Sequence, residues 1–118
     1  MKPTLLIYPK CSTCQTALKW FTENNVDVEI RHIVEQNPSA AELKKWIAES
    51  GLPIRRFFNT SGIKYREMNI KDRFETATDA ELIDLLASDG MLVKRPLLIS
   101  AKAIIPGRRE AEYATALL

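Results

Sequence analysis

Apolar residues fall into short runs whose period changes along the chain. Thr4 to Tyr8 carries Leu5-Leu6-Ile7, a continuous apolar run of the kind that forms a buried strand. From Thr13 to Asn24 the spacing turns helical, with Ala17, Leu18 and Phe21 on one face and Trp20 extending it. Val26 to Ile33 alternates, with Val26, Val28 and Ile30 on one side and Asp27, Glu29 and Arg31 on the other, which is strand period. His32 falls on the apolar side, where a core or edge histidine is a simpler reading than a catalytic one. The chain thus opens strand–helix–strand, and a helical crossover makes the two strands parallel.

Asn37-Pro38 breaks this pattern. Ser39 with Glu42 forms a capping box that predicts a helix from Ala40 to about Ser50, with Leu43, Trp46 and Ile47 as its buried stripe and Gly51 as its C′ residue. Pro53 to Phe58 reads as a short helix carrying Arg55 and Arg56, and Asn59-Thr60-Ser61-Gly62 as a turn. Tyr65 to Phe74 is helical in part. Thr78 with Glu81 is a second capping box, opening a helix through Ala87 with Leu82, Leu85 and Leu86 inward, stopped by Asp89-Gly90. Leu97 to Ser100 and Lys102 to Ile105 read as strands whose short connection makes an antiparallel hairpin. Pro106-Gly107 turns the chain into a closing helix from Glu110 to Leu118. The expected fold is α/β: strand–helix–strand, a helical block, then strand–strand–helix around a mixed sheet.

The 118 residues suffice for one domain with a real core and are too few for two. No apolar run approaches the roughly 18 residues of a membrane span. The N-terminus runs from a single Lys through a short apolar strand into Pro9, unlike a signal peptide. The expected location is therefore cytoplasmic, a reducing compartment in which cysteines serve chemistry more often than stapling. With 17 basic and 15 acidic residues the net charge is only +2, so neither a general nucleic-acid footprint nor direct nucleic-acid binding is expected. The basic pairs Arg55-Arg56, Lys64 with Arg66, Lys94-Arg95 and Arg108-Arg109 are either solvated decoration or parts of an anion site.

The chemistry concentrates in Tyr8-Pro9-Lys10-Cys11-Ser12-Thr13-Cys14-Gln15, which holds both cysteines of the chain at a strand-to-helix junction. The thiolate is the nucleophile, and its pKa falls where a helix N-terminus faces the sulfur. Cys11 precedes the first helical turn and has Lys10 beside it, which suits a nucleophile. Cys14 lies a turn further in, where it can resolve a mixed disulfide formed at Cys11. Half a zinc site and a pair of inert buried thiols are the competing readings, but His32 is the only histidine and four ligands are wanted. No metal and no bound cofactor are expected.

The Cys11-Ser12-Thr13-Cys14 loop, Arg95-Pro96 and the terminal hairpin and helix together resemble a thioredoxin fold, and more narrowly the arsenate-reductase-like family. That family includes glutaredoxin-linked arsenate reductases, the Spx transcriptional regulators and less characterised relatives. The likeness runs from Leu5 to the C-terminus. It makes residues 1–118 a single thioredoxin-like domain with a helical insertion at about 35–90. Phe57-Phe58-Asn59-Thr60-Ser61-Gly62, Tyr65-Arg66-Glu67 and the stretch from Leu86 to Leu92 look most like the uncharacterised branch.

The resemblance implies a cis Arg95-Pro96 peptide facing the Cys loop, where it would dock an extended thiol substrate. It also implies three arginines that hold an oxyanion and lower the thiol pKa, since guanidinium forks match tetrahedral oxyanions. Cys11 matches the nucleophile, Arg95 the arginine before the proline, and Arg108 the late arginine, with Arg109 as its alternative. The chain departs from the reductases at the third arginine, which falls at Asn59, with Arg55, Arg56 and Arg66 nearby. It departs again at Ile7, where they carry a loop histidine. Cys14 is absent from glutathione-dependent reductases and points to an internal disulfide. The implied activity is a thiol–disulfide oxidoreductase, with arsenate or another oxyanion as substrate. Cys11 and Cys14 would be catalytic and Lys10, Asn59, Arg95, Pro96 and Arg108 would hold the anion or substrate. Glutathione, glutaredoxin or thioredoxin would supply electrons. The alternative is an Spx-like redox regulator that binds the C-terminal domain of the RNA polymerase α-subunit. Gly51 lies near a glycine that matters for that docking, although helix capping alone explains it.

Overall fold

The protein is described by a computed structural model covering residues 2–118. Along the chain run β1 (Thr4–Ile7), α1 (Ser12–Glu23), β2 (Glu29–His32), α2 (Ala40–Ser50), α3 (Ile63–Glu67), α4 (Ile70–Arg73), α5 (Asp79–Ser88), β3 (Leu97–Ile99), β4 (Ile104–Pro106) and α6 (Glu110–Leu117). The chain forms two compact units, residues 2–32 with 95–118 and residues 33–94.

The first unit is a four-stranded mixed sheet in the order β2-β1-β3-β4. β1 and β2 are parallel, with Ile7 opposite His32, as the helical crossover requires. β3 runs antiparallel to β1, with Leu98 opposite Leu5, and β4 antiparallel to β3. Leu5, Ile7, Leu98 and Ile105 of the sheet bury against Cys14, Ala17 and Phe21 of α1 and Tyr113 and Ala116 of α6. Tyr113 stacks at 5.4 Å from Phe21, and its phenol donates 2.8 Å to the Gly107 carbonyl, so its buried oxygen is satisfied.

β2 is shorter than the alternation from Val26 to Ile33 predicts. Asn25 adopts φ 55°, the Val26 N–H bonds back to the Phe21 carbonyl at 3.0 Å, and pairing with the N-terminal strand begins only where the Glu29 N–H meets the Pro3 carbonyl at 2.8 Å. Val26 and Val28 pack partly on the core, yet Ile30 is 47% exposed. Alternation reports a strand's two faces, but β2 is an edge strand and neither face is well covered. In the hairpin the second strand is Ile104–Pro106 rather than Lys102–Ile105: Ser100 closes the turn on Ala103, and Lys102 is left exposed.

In the second unit both predicted capping boxes form. Ser39 and Glu42 exchange bonds at 3.0 and 3.1 Å to open α2, and Thr78 and Glu81 do the same for α5. Gly51 closes α2 at φ 69°. The stretch from Tyr65 to Phe74 is two short helices, α3 and α4, separated by Asn69 at φ 51°. Pro53 to Phe58 contributes one 3₁₀ turn, Ile54–Phe57. Among the described residues no helix is long and apolar enough to cross a membrane.

Two glycines of this unit separate steric from conformational demands. A Cβ on Gly90 would stand 2.1 Å from the Ile33 carbonyl oxygen and 2.8 Å from the Asn37 side-chain oxygen, whereas a Cβ on Gly51 meets nothing within 4 Å. Gly90→Ala should therefore destabilise the protein by roughly 2–3 kcal/mol through overpacking against backbone. Gly51→Ala should cost only about 1 kcal/mol, the left-handed penalty of an L-residue. Urea midpoints at constant slope test this; equal losses at the two sites would contradict the steric account of Gly90.

Candidate active site

β1 ends at Ile7, and Tyr8 to Lys10 carry the chain to Cys11, the N-cap of α1. Cys11 has the extended backbone of a cap, φ −87° and ψ 118°, and its carbonyl accepts the first helical bond, from the Gln15 N–H at 3.1 Å. The Cys11 N–H donates 3.0 Å to the Tyr8 carbonyl, and the Gln15 side chain donates 3.0 Å to the Pro9 carbonyl, closing the loop onto the helix. No side-chain oxygen caps α1, and no acidic residue lies in its first turn. The positive end of the helix is thus left to the Cys11 sulfur. Cys11 is half-buried, Cys14 is fully buried and packed in the core, and both are free thiols.

The two sulfurs are driven apart in acidity. Partial burial pushes the Cys11 thiol up, but the Cys14 N–H, the Cys14 thiol, the Thr13 N–H and the Arg95 charge together outweigh it and hold Cys11 below the ordinary thiol value. Burial pushes Cys14 up to about 12. A bond from the Tyr8 N–H and the charge of Arg95 oppose that rise, while its hydrogen bond to Cys11 and the charge there add to it. Cys11 is therefore the stronger acid of the pair, and the Cys14 thiol, which bonds to the Cys11 sulfur, is the weaker one.

Arg95-Pro96 is a cis peptide. Pro96 is buried, and its carbonyl accepts 2.8 Å from the Gly107 N–H, which ties the peptide to the end of β4. Arg95 lies over the Tyr8 ring, its Cζ 5.4 Å from the centroid. The Tyr8 ring meets His32 edge-on at 5.9 Å and 86°, so the edge position expected for this histidine gives it an aromatic partner. Lys10 is exposed in the loop.

The other predicted anion-binding residues are placed differently. Arg108 is exposed and ion-paired with Glu110, and Arg109 bonds Glu112 at 3.2 Å, so both arginines neutralise the acidic first turn of α6. Asn59 belongs to the second unit, where its N–H donates 2.8 Å to the Leu92 carbonyl and its side-chain oxygen accepts from Ser61 at 3.3 Å. Arg55 lies over Phe74 at 4.9 Å in the same unit. Among the described residues no three His, Cys, Asp or Glu side chains are grouped to hold a metal ion. The sequence does not single out Tyr8; an aromatic residue directly before the loop is the only signal it leaves there.

A family model described as the ArsC family matches residues 6–116. The Bacillus subtilis protein YusI, itself uncharacterised, is 45% identical over 113 residues, covering 96% of each chain. The regulatory protein MgsR of the same organism is 25% identical over 109 residues, covering 92% of this chain and 85% of its own. An arsenate reductase of Acidiphilium multivorum is 29% identical over 98 residues, covering 82% of this chain and 67% of its own. Among solved structures, an ArsC family related protein from Bacteroides fragilis superposes with a TM-score of 0.94 at 46% identity, covering 98% of both chains.

Iodoacetamide alkylation of the reduced protein, followed residue by residue by mass spectrometry, reads the two acidities directly. Because the thiolate reacts, a lowered value puts the Cys11 rate midpoint at lower pH than that of a free thiol, while Cys14 stays inert through neutral pH. Arg95→Ala and Cys14→Ala each remove a group that favours the Cys11 thiolate, so each should move the midpoint upward. Cys14 reacting first, or a downward move in Arg95→Ala, would contradict this assignment.

Proposed function

The chain belongs to the ArsC family, and from that membership together with its thiol geometry we propose a cytoplasmic thiol–disulfide oxidoreductase of the arsenate-reductase-like kind. The observation that supports this reading is the polarised pair, a Cys11 thiol lowered at the N-terminus of α1 and a buried Cys14 raised to about 12.

In the proposed cycle the Cys11 thiolate attacks a sulfur of a disulfide substrate and releases one substrate thiolate, leaving a mixed disulfide on Cys11. That step removes the negative charge of Cys11, one of the causes that keep Cys14 protonated. Cys14 then loses its proton to the departing thiolate and attacks the Cys11 sulfur. The second substrate thiol leaves, and a Cys11–Cys14 disulfide holds the two-electron oxidation. Glutathione, glutaredoxin or thioredoxin returns the electrons, and no bound cofactor is required. Arg95 and the backbone of Pro96 would hold the incoming group beside Cys11, with Lys10 exposed on the same loop. With an oxyanion such as arsenate, the Cys11 sulfur would instead displace one arsenic-bound oxygen as water to form the covalent adduct, and Asn59 falls at the sequence position where the reductases carry a further arginine.

The similarity to MgsR, a protein named as regulatory, favours a second reading. The same disulfide would then bias docking on the RNA polymerase α-subunit, a redox switch without turnover.

A coupled NADPH assay with arsenate or a glutathione mixed disulfide, run with glutaredoxin and then with thioredoxin, separates these readings. Turnover should fall to background in Cys11→Ser, a loss of at least about 10³-fold. Cys14→Ser should accumulate a mass-detectable mixed disulfide at Cys11. Absence of turnover with every donor and substrate would sink the enzyme reading. Stoichiometric binding of the α-subunit that changes with oxidation would then support the regulator.

A further inference from the structure

Three residues far apart in the chain meet at one aromatic ring. Tyr8 directly follows β1, and the parallel register that sets Ile7 opposite His32 brings the imidazole edge-on to the Tyr8 ring at 5.9 Å. From the C-terminal hairpin, Arg95 reaches the same ring, its Cζ 5.4 Å from the centroid. The backbone of Tyr8 is engaged as well. Its carbonyl accepts from the Cys11 N–H at 3.0 Å, and its N–H faces the Cys14 sulfur. One residue therefore touches the nucleophile loop, the second thiol and the arginine.

The ring does more than fill space. A guanidinium lying on an aromatic face is held by the ring's negative quadrupole, and its N–H donors lie in its own plane, pointing outward. Such a contact restricts a side chain that is otherwise long and mobile. We infer that Tyr8 is a positioning residue of the thiol site, whose ring holds the Arg95 guanidinium where its charge serves the Cys11–Cys14 pair. His32 braces the other contact of that ring. The inference rests on reading Cys11 as the nucleophile of the proposed oxidoreductase. The phenol oxygen has no part in it, because stacking needs the ring alone.

The groups that act on Cys11 in this unit are Cys14, the N–H groups of Thr13 and Cys14 in α1, and Arg95 from the hairpin; Lys10 lies exposed on the same loop, and His32 touches the Tyr8 ring. A change at Tyr8 should reach Cys11 through Arg95, and a double-mutant cycle detects that route. The experiment measures iodoacetamide alkylation of Cys11 against pH in the reduced wild type, Tyr8→Phe, Tyr8→Leu, Arg95→Ala and the Tyr8→Leu/Arg95→Ala double variant.

Tyr8→Phe should keep the wild-type profile. Tyr8→Leu should move the midpoint upward, as Arg95→Ala does, and slow alkylation at neutral pH by about two- to fivefold, the worth of an exposed cation–π contact. The double variant should match Arg95→Ala alone. A folded Tyr8→Leu with the wild-type profile, or a double variant in which the two effects add in full, overturns the inference. Should Tyr8→Leu fail to fold, NMR of the Arg95 guanidinium decides. Ring-current displacement of its signals in wild type and Tyr8→Phe supports stacking, and undisplaced signals overturn it. Alkylation needs no substrate, so absent turnover with the expected profile would remove the proposed function and leave the role of Tyr8 in place.

Discussion

A helix whose first N–H groups find no side-chain oxygen must satisfy them otherwise, and in this protein a sulfur stands where the capping oxygen would be. Cys11 occupies the N-cap of α1 with cap-like backbone, and the Thr13 and Cys14 N–H groups act on its sulfur. Cap interactions of this kind contribute about 1 kcal/mol when an oxygen makes them. With an ionisable thiol the same contact becomes a bias between protonation states. The absence of acid from the first turn of α1 leaves that bias uncancelled. By contrast, the two helices of the second unit that open with Ser39 and Thr78 use capping boxes and expose no reactive group. The difference between a structural cap and a candidate nucleophile is a single atom type at one position.

The buried partner follows from the same helix. Cys14 lies one turn on, on the face that carries Ala17 and Phe21 into the core, so the spacing that brings it within reach of Cys11 also removes it from water. Burial is then the main reason its proton is retained. In the proposed cycle an exposed second cysteine would compete as nucleophile, whereas a buried one would wait until the charge on Cys11 had been consumed. Positive charge on the pair comes from Arg95. Arg108 and Arg109 are instead ion-paired with Glu110 and Glu112 at the start of α6, so a basic pair in a sequence can as well be the partner of local carboxylates as part of an anion site.

Most of the fold was legible because its signals are local. Capping boxes act across three residues, helical stripes across four and hairpin turns across a handful, so Ser39 with Glu42, Thr78 with Glu81, the parallel pair from a helical crossover and the closing hairpin all appear in the structure. Local signals stop short at the boundaries of elements. Val26 to Arg31 alternates strictly, yet pairing is limited to Glu29–His32, because the extent of a strand depends on its neighbour and β2 has only one among the described residues. The stretch from Tyr65 to Phe74 breaks at Asn69, whose left-handed backbone no periodicity reports.

The sequence by itself determined where the Cys11 sulfur would sit. The order strand, Cys-x-x-Cys, helix places Cys11 at a helix N-terminus whatever the rest of the chain does, because the helix dipole and its free N–H groups are built within one turn. Which side chains would surround that sulfur was decided only in three dimensions. Arg95 arrives through a hairpin paired to β1, and His32 through the register of β2. Tyr8 becomes the ring that both of them touch. The Tyr8–Arg95 contact joins residues separated by most of the chain, and both contacts exist only after sheet register has been chosen by burial of the core, a property of the whole unit rather than of any segment.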